Sequence, residues 1–162
     1  MTEPSEVVAE NAHIEDENVK SVVKLLGGRK VLRKTLTTRL DAHDLIRSGL
    51  PSAALLHLAA SVVCLREERD IKRVIGVSIR TLQRRKEDPK PLSEEQGGRT
   101  WKFAEILAHA TRVFGSQEEA ERWLKSKVSP LSGRRPIDLL STPTGVEMVE
   151  TLLTQLEYGV YV

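Results

Sequence analysis

Between Ser78 and Lys86 the chain places Arg80, Thr81, Gln83, Arg84, Arg85 and Lys86, and no acid occurs anywhere from Ile71 to Lys86. These are the side chains that read duplex nucleic acid. Arginine pairs with guanine, glutamine with adenine, and threonine meets a phosphate or a thymine methyl. Arg80, Thr81 and Arg84 are expected near bases, and Arg85 and Lys86 on phosphates. A solvated helix face usually mixes both signs of charge, so an acid-free basic run marks a polyanion partner. Catalytic chemistry has no comparable cluster. His13, His43, His57 and His109 lie far apart, without a metal-ligand spacing. Cys64 sits in an apolar run with no activating base beside it. No phosphate loop, nucleophile elbow or dinucleotide fingerprint appears. The sequence therefore predicts no metal, no cofactor and no enzymatic activity.

The elements that must hold the basic run are legible around it. Ile71, Val74 and Ile75 give a short helix one apolar edge. Gly76 supplies a turn where positive φ is easy. Val77 plugs the corner, Ser78 caps the next helix, and Leu82 packs that helix back on the domain. This is the layout of a helix-turn-helix, whose second helix enters the major groove. Upstream, residues 1–18 are acidic and aperiodic and are expected to be a disordered tail. Val19, Val22, Val23 and Leu26 then repeat at helical spacing as far as Gly27-Gly28. Val31, Leu32 and Leu36 suggest a second helix, and Asp41 to Ser48 a third. From Pro51 runs a nearly all-apolar helix that must be buried on most sides. Downstream, Asp88-Pro89-Lys90-Pro91 breaks the chain. A helix is expected from Thr100 to Phe114, with Phe103, Ile106, Leu107 and Ala110 on one face. Ser116 and Glu119 form a capping box for the next helix. Pro136 to Leu140 makes one helical turn. The last helix starts at Thr142-Pro143, or at Thr144 with Glu147 as its box, and ends at Gly159. The expected class is all-α, with a dimerising and DNA-binding region over 19–92 and a second helical region over 93–162.

The chain has 162 residues, 40% of them hydrophobic and only 4% aromatic, which allows a globular core of Leu, Ile, Val and Ala. The net charge of +2 conceals strong segregation. Acids crowd the first residues, and Lys24, Arg29, Lys30, Arg33, Lys34 and Arg39 follow. No apolar run approaches the roughly 20 residues of a membrane span, and the N-terminus lacks signal-peptide order. A cytoplasmic protein is expected.

The C-terminal half carries a more specific pattern. Val113-Phe-Gly-Ser-Gln-Glu-Glu-Ala-Glu-Arg-Trp-Leu124 is followed by Pro130-Leu-Ser-Gly-Arg-Arg-Pro-Ile-Asp-Leu-Leu140, then by Gly145 and Leu156-Glu-Tyr-Gly-Val-Tyr161. In that order and spacing these segments closely resemble the toxin-binding domain of the Xre/MbcA/ParS antitoxin family. Gly49-Leu-Pro51 and Arg80-Thr-Leu-Gln-Arg-Arg85 resemble the same family's helix-turn-helix region. The resemblance implies a type II antitoxin. Its partner would be a RES-type or ParT/MbcT-like toxin that consumes NAD, covered at its active site by the antitoxin's C-terminal region. The resemblance also implies binding to its own promoter as a homodimer that represses the operon. Tyr158, Gly159, Val160, Tyr161 and Val162 form an apolar tail suited to anchor in a partner pocket, or to pack on its own domain. Trp123 fits core or interface. Arg134 and Arg135 could meet toxin acids or solvent. Pro136, Leu139 and Leu140 lock the last helices and could also line the docking face. Ala53 to Val63 and Val19 to Leu36 are the candidate dimer faces. A stand-alone transcription regulator without a toxin is the competing reading.

Overall fold

Residues 16–159 are described by a computed structural model of the chain. Asp16 accepts the Asn18 amide at 2.8 Å and so starts helix α1, Glu17–Leu25. Glu17 and Asn18 therefore belong to a helix rather than to the expected tail. The rest of that tail, residues 1–15, lies outside the described residues. Gly27 and Gly28 both take positive φ, 101° and 74°, and turn the chain into the short helix α2, Gly28–Leu32. Leu36 is buried but lies beyond that helix. Thr38 and Asp41 form a reciprocal capping box at the start of α3, Arg39–Ser48. Helix α4, Ser52–Ser61, follows Pro51. A 3-10 turn, Val63–Leu65, leads into α5, Glu68–Val74, and then α6, Ile79–Glu87.

Helix α7, Glu94–Phe114, is the axle of the molecule. Its 21 residues span roughly 30 Å. Helices α1 and α3 pack on it, as do α8, Gln117–Leu124, and α9, Pro143–Glu157. With partners on several sides, Trp101, Phe103, Ala104, Ile106, Leu107, Ala108 and Ala110 are all buried. Two further 3-10 turns, Ser129–Leu131 and Pro136–Leu139, lie between α8 and α9. Among the described residues there are nine α-helices and no strand, only an isolated bridge between Val128 and Arg134. One hydrophobic cluster runs from Val19 to Leu153. The regions before and after residue 93 thus share a core.

Two expectations are corrected by packing. Helix α7 begins at Glu94 rather than Thr100, with Gly97 and Gly98 inside it. A glycine inside a helix costs about 1 kcal/mol. Here Ser93 caps the first turn, and the Leu92 amide bonds the Leu50 carbonyl at 2.9 Å. Gly97 then lets α7 approach so closely that a Cβ there would stand 3.3 Å from the Leu50 Cβ. Helix α4 is not buried on most sides. Ser52, Ala54, Leu55 and Leu58 are buried, while Ala53, His57 and Ala60 face outward. The reason is its place at the margin, against α2, α6 and the Val63–Leu65 turn.

At the start of α9, Thr142 accepts the Gly145 amide at 3.0 Å, and Thr142, not Thr144, is the cap. A Cβ on Gly145 would overlap the Leu139 carbonyl oxygen, which is backbone and cannot swing away. Gly145→Ala is therefore expected to destabilise the fold by about 2–3 kcal/mol, read as a lower midpoint in urea unfolding.

Candidate nucleic-acid interface and partner-binding region

The turn of the helix-turn-helix is built by Gly76 at φ +85°, after Ile75 ends α5. Val77 is buried in the corner at 4% exposure. Ser78 accepts the Thr81 amide at 3.1 Å and caps α6. Its hydroxyl also meets that of Thr81 at 3.0 Å. Leu82 faces the core, and α6 packs on α4. Arg80, Gln83, Arg84 and Lys86 stand exposed, and Arg85 is half-buried. Ser78 and the half-buried Thr81 thus shape the start of the helix, whereas the longer side chains reach outward. Among the described residues, none of Arg80, Arg84, Arg85 and Lys86 has a carboxylate partner. Like-charged groups held together repel one another, weakly in salt, and a polyanion that neutralises them relieves that repulsion.

Arg99, one turn and more into α7, holds this element in place, and sequence reasoning missed it. Its Nε donates to the Val74 carbonyl at 2.9 Å and its Nη2 to that of Arg73. These are orphan carbonyls at the end of α5, which a cation satisfies well. The guanidinium lies over Gly76, where a Cβ would come within 2.7 Å of Nη1. Glycine is thus favoured by the backbone, and a Cβ would also displace the guanidinium from its two carbonyls. The signal was hidden because the α7 start was expected after Arg99, so its facing could not be phased.

A charge network joins the first helix of the motif to the C-terminal region. Asp70 has no exposed side-chain surface. Its Oδ2 accepts from Lys125 Nζ at 2.5 Å and its Oδ1 from Arg135 Nη2 at 3.1 Å. Arg135 also grips Asp138 with Nε and Nη2, at 2.9 and 2.7 Å. Arg73 donates to the same carboxylate at 2.6 Å, and Lys125 reaches Glu67 at 3.2 Å. Hydrogen bonding to Arg135, and then to Arg73, holds the Asp138 carboxyl below the usual carboxylate range despite some burial. The same bond raises the Arg135 pKa above its ordinary value. Burial works against the Lys125 charge, but Asp70 and Glu67 outweigh it and raise its pKa.

The C-terminal residues singled out by sequence are divided by this arrangement. Arg135 points inward, Pro136 and Leu140 are buried, and Leu139 packs half-buried against the core. Trp123 is half-buried with its ring 5.2 Å from that of Phe114. Arg134 is exposed, and Tyr158, at the end of α9, is 76% exposed. Gly159 follows with φ +68°. Val160, Tyr161 and Val162 lie outside the described residues. Met148, 44% exposed on α9, was missed. It lines a groove with Pro130, Leu131, Thr151, Leu152 and Gln155. Phasing α9 on Val149, Leu152 and Leu153 would have placed Met148 outside. Ser116 caps α8, but Glu119 turns to Arg122 instead of closing the expected box.

Of the remaining reactive groups, Cys64 and His109 are engaged within the fold, while His43 and His57 are exposed. Burial pushes the Cys64 thiol up to about 12, which keeps it protonated and unreactive at neutral pH. His109 Nε2 lies 2.7 Å from Glu157. No cluster of His, Cys, Asp and Glu suited to a metal occurs among the described residues. None of their helices is long and apolar enough to cross a membrane.

Residues 41–105 match the family described as an antitoxin Xre-like helix-turn-helix domain, and residues 109–159 the antitoxin Xre/MbcA/ParS C-terminal toxin-binding domain. An Antitoxin Xre from Pseudomonas putida is 33% identical over 124 residues, 76% of each chain. Antitoxin Xre from Yersinia enterocolitica is 31% identical over 107 residues, 65% of this chain and 70% of that one. A protein from a Sphingobium species, named Prs ADP-ribosylating antitoxin, is 23% identical over 130 residues, covering 75% of this chain and 80% of its own.

Because Asp138 has a lowered folded-state pKa, its stabilisation is complete above the unfolded value of about 3.9 and is lost as pH falls through the folded one. Asp138→Asn should cost about 2 kcal/mol at pH 7. It should also lose less stability than the parent chain when urea unfolding is repeated at about pH 3. An equal acid loss in both proteins would remove Asp138 as a source of the pH dependence.

Proposed function

Since the chain belongs to the Xre/MbcA/ParS antitoxin family, with a helix-turn-helix domain followed by a toxin-binding domain, we propose that it silences a NAD-consuming toxin of the RES type and represses its own operon. As an antitoxin it acts by binding, without turnover of its own. The C-terminal surface of α9 docks over the toxin and closes its NAD site. Helix α6 enters the major groove of the operator. Two copies present their α6 helices about one helical turn apart, which suits a palindromic site.

The observation that carries the neutralising role is Tyr158. It stands 76% exposed at the end of α9, inside the region matching the toxin-binding domain. An aromatic side chain held out on a rigid helix end loses little conformational freedom on docking and makes a strong anchor. Met148 and the groove beside it extend the apolar area along the same helix, and exposed Arg134 adds a charge. Arg135, Pro136 and Leu140 support that surface from within. The name of the Sphingobium relative mentions ADP-ribosylation, a reaction that draws on NAD, and this favours a NAD-consuming partner. The DNA-binding role rests on the unneutralised cations of α6.

Co-expression with the neighbouring toxin gene tests the first role. The full chain should restore growth and cellular NAD, and removal of Tyr158 to Val162 should abolish rescue while promoter binding persists. The second role is tested with Arg80→Ala and Arg84→Ala combined. Each lost base contact is worth about 1–3 kcal/mol, so promoter affinity should fall by well over tenfold with toxin rescue intact. Promoter binding unchanged in that variant would sink the role of α6.

A further inference from the structure

A second basic surface lies apart from α6. Arg29 and Lys30 on α2, with Arg33 and Lys34 just after it, are all exposed, as is Lys24 at the end of α1. Among the described residues no carboxylate pairs with any of these five. Elsewhere in the fold Arg73, Lys102, Lys125 and Arg135 all have partners within 3.2 Å. No acid occurs between Asn18 and Leu40. Arg33 takes a left-handed conformation, φ 59°, at the end of α2. That position ordinarily belongs to glycine or asparagine, so an arginine is held there in spite of its backbone preference.

The patch is tied to the DNA-reading element through α4. Helix α4 packs against both α2 and α6. The Gly27 turn sits against His57, so close that a Cβ there would lie 3.2 Å from the imidazole. From Pro51 to Leu65 the strip between the two basic segments holds no Lys, Arg, Asp or Glu. Helix diameters of roughly 10 Å put α2 and α6 within about 20 Å, and the major groove is about 12 Å wide. A duplex with α6 in its groove therefore has flanking phosphates within reach of α2. A two-fold interface between copies of this chain brings the same patch against itself, and like charges oppose that. We propose that Arg29, Lys30, Arg33 and Lys34 form a second phosphate-binding surface, which grips the backbone of duplex DNA beside the groove read by α6. The ligand is the phosphodiester backbone, so the contact adds affinity without sequence preference.

This proposal rests on the DNA-binding reading of α6, and the experiment separates the two. The full-length chain is titrated with a duplex of its own promoter and with an unrelated duplex of equal length, at several salt concentrations. Lys30→Gln with Lys34→Gln should lower the slope of log affinity against log salt by about 1.8, or 0.9 per phosphate contact. Affinity for both duplexes should fall by a similar factor, on the order of tenfold at 0.1 M salt. Lys30→Arg with Lys34→Arg should retain the parent slope. A Gln variant with an unchanged slope overturns the proposal while the α6 reading stands, provided Arg80→Ala with Arg84→Ala still weakens promoter binding. The same Gln variant losing toxin rescue with its slope unchanged means that the patch faces the toxin, and an unchanged slope with rescue intact leaves it to the chain's own acidic N-terminal residues. Both results sink the proposal. A parent chain that binds neither duplex overturns both readings.

Discussion

Asp70 is a carboxylate with no exposed side-chain surface, and the relation between the two functional regions depends on how it is satisfied. A charge taken out of water survives only with close partners that complete its hydrogen bonds. Those partners, Lys125 and Arg135, are 55 and 65 residues away in sequence. Glu67, just before α5, and Asp70 and Arg73 within it all engage this cluster. The first helix of the helix-turn-helix is therefore bolted to the turn that packs on α9, within the region matching the toxin-binding domain. Burying ion pairs adds little net stability compared with an apolar contact of equal shape, but leaving one member unpaired costs about 3–5 kcal/mol. The network thus acts mainly on geometry, by penalising every arrangement in which α5 and the Pro136–Leu139 turn are not aligned.

Helix α7 supplies the apolar counterpart of that bolt. The match to the helix-turn-helix family ends at residue 105 and the match to the toxin-binding family begins at 109. Both points fall inside α7, which runs unbroken from Glu94 to Phe114. The boundary between the two families' domains is therefore the interior of one helix, buried on several sides. Arg99 extends the same helix's influence to the turn at Gly76, by closing the carbonyl end of α5. A duplex on α6 and a protein on α9 would consequently act on one shared body rather than on two beads joined by a linker.

Charge is sorted in a way that follows from the same packing. Cations near the Asp70 cluster and between α7 and α9 are paired. Those on α6 and around α2 are not. The near-neutral total of +2 thus hides a protein that balances its internal electrostatics while the cations of α6, and Arg29, Lys30, Arg33 and Lys34 on and just after α2, stand on two neighbours of α4 without carboxylate partners.

The sequence by itself determined the elements whose signals are local. The Gly76 turn, the Ser78 and Ser116 caps and the basic run of α6 all depend on residues within a few positions of one another, and each lies where the pattern puts it. The C-terminal segments also carried the family through the order and spacing of their local motifs. What only the tertiary structure decided was which side chains face which way across long separations. Helix α7 reads as starting at Thr100 until Gly97 is seen pressed against Leu50. Arg135 reads like Arg134 until Asp70 and Asp138 turn it inward. The apolar α4 reads as central until its neighbours leave one side open. Periodicity reports a residue's phase on its own helix. It holds no information on the partner that a buried charge or a close backbone contact requires, because that partner is brought in by the folding of distant chain.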